Sequence, residues 1–157
     1  WFLRPDLSFP STSVTPDLKA RLSRVQNPEP AMRRMEAVLV NWARQAFRDA
    51  SKRPTTWPSL SKRTLDQKKK KGYGSKPLIA SGTLARSPRV VSVNRTSVVV
   101  GSDRAAGSYS LATIHQLGAP RRGIPARPFF PFRNGQTMPA ARAQVVAVLR
   151  RWLEAGK

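Results

Sequence analysis

Ile124-Pro125-Ala126-Arg127-Pro128-Phe129-Phe130-Pro131-Phe132 places three phenylalanines among three prolines. No helix interior tolerates that proline density, and each proline lacks the donor that a sheet ladder needs, so the segment is expected to run extended. Its rings then need a cover. Either they plug the core of the domain, with the segment as a rigid connector, or they form a docking surface between subunits. Arg127 offers a planar fork of donors suited to a carboxylate or to a run of carbonyls.

Outward from this segment, residues 109 to 117 can form a short helix with Tyr109, Ala112 and Ile114 inward, stopped by Gly118. Before it, Val91 and Val93 alternate with Ser92 and Asn94, Asn94-Arg95-Thr96-Ser97 turns, and Val98-Val99-Val100-Gly101 returns. This is the one strong hairpin of the chain, at 89–101. Gly101-Ser102-Asp103 then opens a loop through Ala105-Ala106-Gly107, and Pro77 to Leu84 reads as a buried apolar link and a turn. On the far side Arg133-Asn134-Gly135 turns, and Pro139 opens a last helix with Ala143, Val145, Val146, Val148, Leu149, Trp152 and Leu153 as its apolar positions. Arg142, Arg150 and Arg151 make its other face basic.

The first half of the chain is helical in pattern. Residues 1–14 mix prolines with serines and read as an extended arm; a single domain is expected over 15–157. Thr15-Pro16-Asp17 supplies a cap, a first-turn proline and an early acid for a helix over 16–26, which Asn27-Pro28-Glu29-Pro30 breaks. The clearest helix spans about 30–51, where Met32, Met35, Leu39, Trp42, Ala46 and Ala50 recur at helical steps and Val38, Ala43 and Phe47 widen the stripe. Lys52-Arg53-Pro54 ends it. Ser61 caps a further helix near 62–71, which runs into Lys68-Lys69-Lys70-Lys71-Gly72-Tyr73-Gly74-Ser75-Lys76, a mobile basic loop or a solvated tip. The expected fold is therefore α+β: N-terminal helices, a long helix across a small antiparallel sheet built on the hairpin, and a C-terminal helix. Trp42, Leu39 and Phe47 are expected to be buried against Val91, Val93 or Val99.

Twenty-nine Lys plus Arg face eight Asp plus Glu, a net charge of +21, so copies repel one another unless something anionic or acidic is near. Nucleic acid, an acidic protein and a membrane surface are the candidate partners. No run approaches the length of a membrane span, the first residues do not form a signal peptide, and a cytoplasmic product is expected. Trp1 is not an initiator, which leaves the completeness of the N-terminus open. The chain has no cysteine, hence no disulfide and no thiolate metal site. The eight acids are scattered, and His115 is the one histidine, expected to hydrogen-bond within the fold. Ser110 with His115 and Asp103 lacks the nucleophile elbow that a triad of that kind needs. No catalytic residue, metal ligand or cofactor is expected.

The order of the motifs adds a further expectation. Trp57-Pro58-Ser59-Leu60-Ser61 with Thr64 and Lys68, then Pro77-Leu78-Ile79 with Ser81-Gly82-Thr83-Leu84, then Val100-Gly101-Ser102, then Tyr109 with Ile114-His115-Gln116-Leu117-Gly118, then Ile124 to Phe129 resemble the tailed-phage virion morphogenesis family. That family includes the tail-completion proteins of Mu-like and P2-like phages. The resemblance spans roughly 16 to 135; Ser110 stands where alanine commonly follows the tyrosine, and the lysine run and the arm fall outside the shared pattern.

The resemblance implies a structural virion protein without enzymatic activity, at the head-tail junction, assembled in the host cytoplasm. There it would form a ring, six-fold by the same resemblance, around double-stranded DNA and beside neck, connector or tail-tube proteins, with no membrane involved. Trp57, Thr64, Gly82, Tyr109, His115, Gly118, Arg127, Phe129 and Phe130 are its motif or subunit-interface candidates. Lys68, Lys69, Lys70, Lys71 and Lys76 are candidates to face DNA or an acidic partner. The rival reading, from charge, is a general basic nucleic-acid-binding protein outside any virion, but the chain has no RNP-type aromatic run, zinc finger or GXXG loop set.

Overall fold

The computed structural model describes residues 15–155. The stretch 1–14, expected as an extended arm, lies outside the described residues. Helix α1 (Pro16–Gln26) begins as its sequence dictates, with Thr15 Oγ1 accepting from the Leu18 N–H at 3.3 Å. Helix α2 (Glu29–Gln45) follows after the proline-rich break and ends earlier than the stripe of apolar residues suggests. The cause is local: the Asp49 carboxylate accepts from the Ser51 N–H and hydroxyl at 2.9 and 2.8 Å and caps a separate 3-10 turn at Ala50–Lys52. A side chain that bonds its own neighbouring backbone competes with helix continuation.

Helix α3 (Lys62–Lys70) starts where Ser61 accepts from the Thr64 N–H. The link at 77–84 runs into one helical turn that was not expected, α4 (Thr83–Arg86), entered through Gly82 in the left-handed conformation. Strands β1 (Arg89–Val93) and β2 (Val98–Gly101) form the expected hairpin, packed on α2.

Its inward face differs from the simple alternation. A bulge between Val90 and Ser92 inserts one residue into β1, so Val90 and Val93, with Val98 and Val100 opposite, are half-buried. Val91 and Val99 point outward, at 60% and 45% exposure, and the expectation that they cover Trp42 is corrected. Trp42 is buried, and it turns instead to the 3-10 turn, donating Nε1–H to the Lys52 carbonyl at 2.8 Å beneath the Lys52 ammonium.

Two smaller strand pairings, with an isolated bridge between Ala119 and Ile124, complete the β structure of the described residues. Strands β3 (Ala105–Ala106) and β4 (Tyr109–Ser110) lead into helix α5 (Leu111–Leu117), whose N-cap is Ser110. Tyr109 therefore lies outside the helix and exposed, where a position inside it and facing inward was expected. Strands β5 (Phe132–Arg133) and β6 (Gln136–Thr137) pair across Asn134-Gly135, both at positive φ, the conformation a tight hairpin demands.

Helix α6 (Pro139–Ala155) packs on α2, with α1 beside it. Ala141 is fully buried, and Val145, Val148, Leu149 and Trp152 follow it down one face at helical steps. Ala143 and Val146 fall off that face and are exposed, contrary to expectation. Arg24 of α1 donates to the Leu153 and Glu154 carbonyls at 2.7 and 3.2 Å, supplying donors that the last turn of α6 lacks. The fold is α+β as expected. Its main core joins Ala43 of α2, and Ala46 and Phe47 just past its end, to Trp57, Leu84, Ala112, Phe129 and Phe130.

Candidate docking groove

The aromatic-proline segment is held in place from both sides. Phe129 and Phe130 are buried, with Phe129 4.8 Å from the Phe47 ring and 4.7 Å from Phe130, and Phe47 meets Trp57 edge-on at 5.8 Å. These separations suit tilted and edge-to-face pairs. This extended, proline-rich chain bonds neighbouring backbone near its ends, Ile124 to Ala119 and Phe132 to Thr137, while the polar groups at Phe129 and Phe130 need side-chain partners. Gln116 of α5 supplies them: its Oε1 accepts from Phe129 N and Phe130 N at 3.1 Å each, and its Nε2 donates to the Phe130 and Phe132 carbonyls.

The opposite side is a reciprocal clamp. Trp57 donates Nε1–H to the Pro128 carbonyl at 2.8 Å, while Arg127 donates Nε–H and Nη2–H to the carbonyls of Pro58 and Ser59, both at 3.0 Å. Arg127 is 6% exposed, and it takes the carbonyl option that its fork allowed. Arg53 lies over the Trp57 ring at 4.0 Å. Gly118 closes the turn after α5 at φ +81°, where an added Cβ would sit 2.9 Å from the Ala126 nitrogen, so only glycine fits without backbone movement.

Between α3, the 78–84 link, α5 and residues 123–127 lies a groove of about 630 Å³. Thr64, Lys68, Gly82, His115 and Arg127 line it, which brings together residues from four of the five motif segments of the sequence. Lys68 donates to the carbonyls of Lys76 (2.9 Å) and Ile79, and burial lowers its pKa. His115 Nδ1 is buried with no hydrogen-bond partner among the described residues. Burial, and then the Arg127 charge, push the His115 pKa below the usual 6.5, so the ring is neutral at neutral pH.

The remaining candidates stand apart from the groove. Trp57, Phe129 and Phe130 are in the core, and Tyr109 is on the surface with the Arg122 guanidinium 3.8 Å over its ring. Lys69, Lys70, Lys71 and Lys76 are exposed. The sequence pattern marks Gln116 only as part of a motif and does not reveal its role. One signal for that role does exist in the chain: a lone amide shortly before a proline-rich segment whose free N–H groups must find an acceptor.

The described residues contain no group of three or more acids and histidines placed to hold a metal, and no helix among them is long and apolar enough to cross a membrane. No curated protein and no solved structure matches the chain. The phage virion morphogenesis family model matches residues 11–154, nearly the whole sequence, and the chain belongs to that family.

Proposed function

We propose that the protein is a structural component of the head-tail junction, where copies form a ring around the DNA channel and join the tail to the capsid without catalysing a reaction. The observation that carries this reading is the family match across 11–154. Charge supports it. The net charge is +21, and the ion pairs Arg21–Asp17, Arg33–Glu29 and Arg89–Asp103 are all exposed to solvent. Acids are too few to neutralise the surface, so most of the positive charge remains to meet a polyanion, and DNA presents about one charge per 1.7 Å of helix axis.

The same charge opposes ring closure in free solution, so the isolated protein is expected as a monomer that assembles on its neighbours. Deleting the gene should leave filled heads and finished tails unjoined, and a virion reconstruction should place a ring of this chain, six-fold by family resemblance, at the neck. Normal joined particles from the deletion strain would overturn the reading. A general nucleic-acid-binding role predicts instead a stable complex of isolated protein and DNA and no copies in the virion, which mass measurement with and without DNA separates.

A further inference from the structure

The groove keeps positive charge that the fold does not compensate. Its floor is apolar, made by Leu60, Leu78, Leu84, Leu111, Ile124 and Pro125. Its polar wall carries the hydroxyls of Ser61, Thr64, Ser81 and Thr83 with the two cations Lys68 and Arg127. Both cations donate to neutral carbonyls, and neither is paired with a carboxylate among the described residues. A carbonyl satisfies a donor but leaves the net charge in place. His115 also lines the groove, with its Nδ1 buried behind the surface.

We propose that this groove takes an extended segment of a partner protein that carries a carboxylate among apolar side chains. The apolar floor covers the side chains, the hydroxyls meet the segment's backbone, and the carboxylate compensates the charges of Lys68 and Arg127. A volume of about 630 Å³ is that of a site for a few residues, within the range of roughly 300 to 1,000 Å³ usual for ligand clefts. DNA suits it poorly, because a sugar-phosphate backbone gains nothing from six apolar neighbours. A second copy of this chain, with eight acids against twenty-nine Lys plus Arg, is a poor source of the carboxylate that the two cations call for. The inference names a partner chemistry for the assembly role above and rests on that role only for the source of the segment.

Fluorescence anisotropy on the full chain tests it, with labelled eight-residue peptides, blocked at both ends, in which leucine alternates with aspartate or with asparagine. Ala80→Trp fills the groove from an exposed lining position, and Ser59→Trp does so from another if the first variant does not fold. Lys69→Gln/Lys70→Gln/Lys71→Gln removes neighbouring charge outside the lining. The aspartate peptide should bind about tenfold more tightly than the asparagine peptide, and a folded groove-filled variant should lose that binding by about tenfold or more. The triple glutamine variant should change it by less than about threefold. Equal binding of the two peptides, binding unchanged by the filled groove, or displacement by an equimolar DNA duplex would each overturn the proposal. Loss of head-tail joining in the deletion strain is a separate readout, so the groove and the neck role can fail independently.

Discussion

Gln116 bonds both backbone polar atoms of Phe130, accepting from its N–H at 3.1 Å and donating to its carbonyl at 3.4 Å. With the parallel bonds to Phe129 N and Phe132 O, one amide takes the place of a partner strand for a segment whose prolines prevent one. The register of the aromatic rings against Phe47 therefore depends on a side chain of a different element.

Gln116→Leu should leave the N–H groups of Phe129 and Phe130 without an acceptor. Unsatisfied buried donors cost about 1 to 3 kcal/mol each, so a loss on the order of 3 kcal/mol is expected. Gln116→Glu keeps the acceptor and should lose less. Urea unfolding reads both, and a Leu variant within experimental error of wild type would mean water replaces the amide.

Phe129→Ala should be among the costliest single changes, about 3 to 5 kcal/mol, because the ring is fully buried and touches two other aromatics. Phe132→Ala, at a half-buried position, should cost clearly less. Equal thermal shifts for the two would contradict this order of packing.

The start of α1, the cap of α3 and the first residue of α6 were legible because capping chemistry is local: Thr15, Ser61 and Pro139 sit where those helices begin. The end of α2 was not, since the apolar stripe continues through Ala46 and Ala50 while Asp49 redirects the backbone. The hairpin was legible as a hairpin, but Val91 is turned outward by a bulge that no residue pattern in Val90-Val91-Ser92 announces, and Val99 faces outward by plain alternation between the half-buried Val98 and Val100. Tyr109 was misplaced for a related reason: Ser110 is as good a cap as it is a helical residue. The groove was least legible, because Thr64, Gly82, His115 and Arg127 are brought together by tertiary packing. Motif order identified them as belonging together without saying where.

His115 should make stability pH-dependent on the acid side. Its pKa in the fold lies below the usual 6.5, chiefly through burial and then through Arg127. Between the two values the unfolded chain binds a proton that the folded chain does not, so stability is fully present above about 6.5 and falls as pH drops toward the folded pKa. Thermal midpoints measured from pH 7.5 down to 5 should decline in wild type and flatten over this window in His115→Gln. The Asp49 pKa, lowered first by its bonds to Ser51, acts in the carboxylate range well below that window. A wild-type decline that survives His115→Gln would assign it elsewhere.

The lysine run divides into two parts with different expected outcomes. Lys68 is committed to the Lys76 and Ile79 carbonyls, so Lys68→Gln should loosen the 76–79 turn and lower stability. Lys69, Lys70 and Lys71 are exposed at the end of α3, next to Gly72 at φ +70° with nothing within 4 Å of an added Cβ. A lysine tip with open space around its glycine fits a mobile polyanion better than a fixed protein surface, so DNA is the expected neighbour. Replacing those three lysines by glutamine should keep the fold and head-tail joining, and should lower the log-log salt slope of DNA binding by up to about 0.9 for each phosphate that is no longer neutralised. If the same variant leaves heads and tails unjoined, the tip touches protein. An unchanged slope with normal joining would make it a solvated end of α3, its charge useful for nothing beyond solubility and the helix dipole.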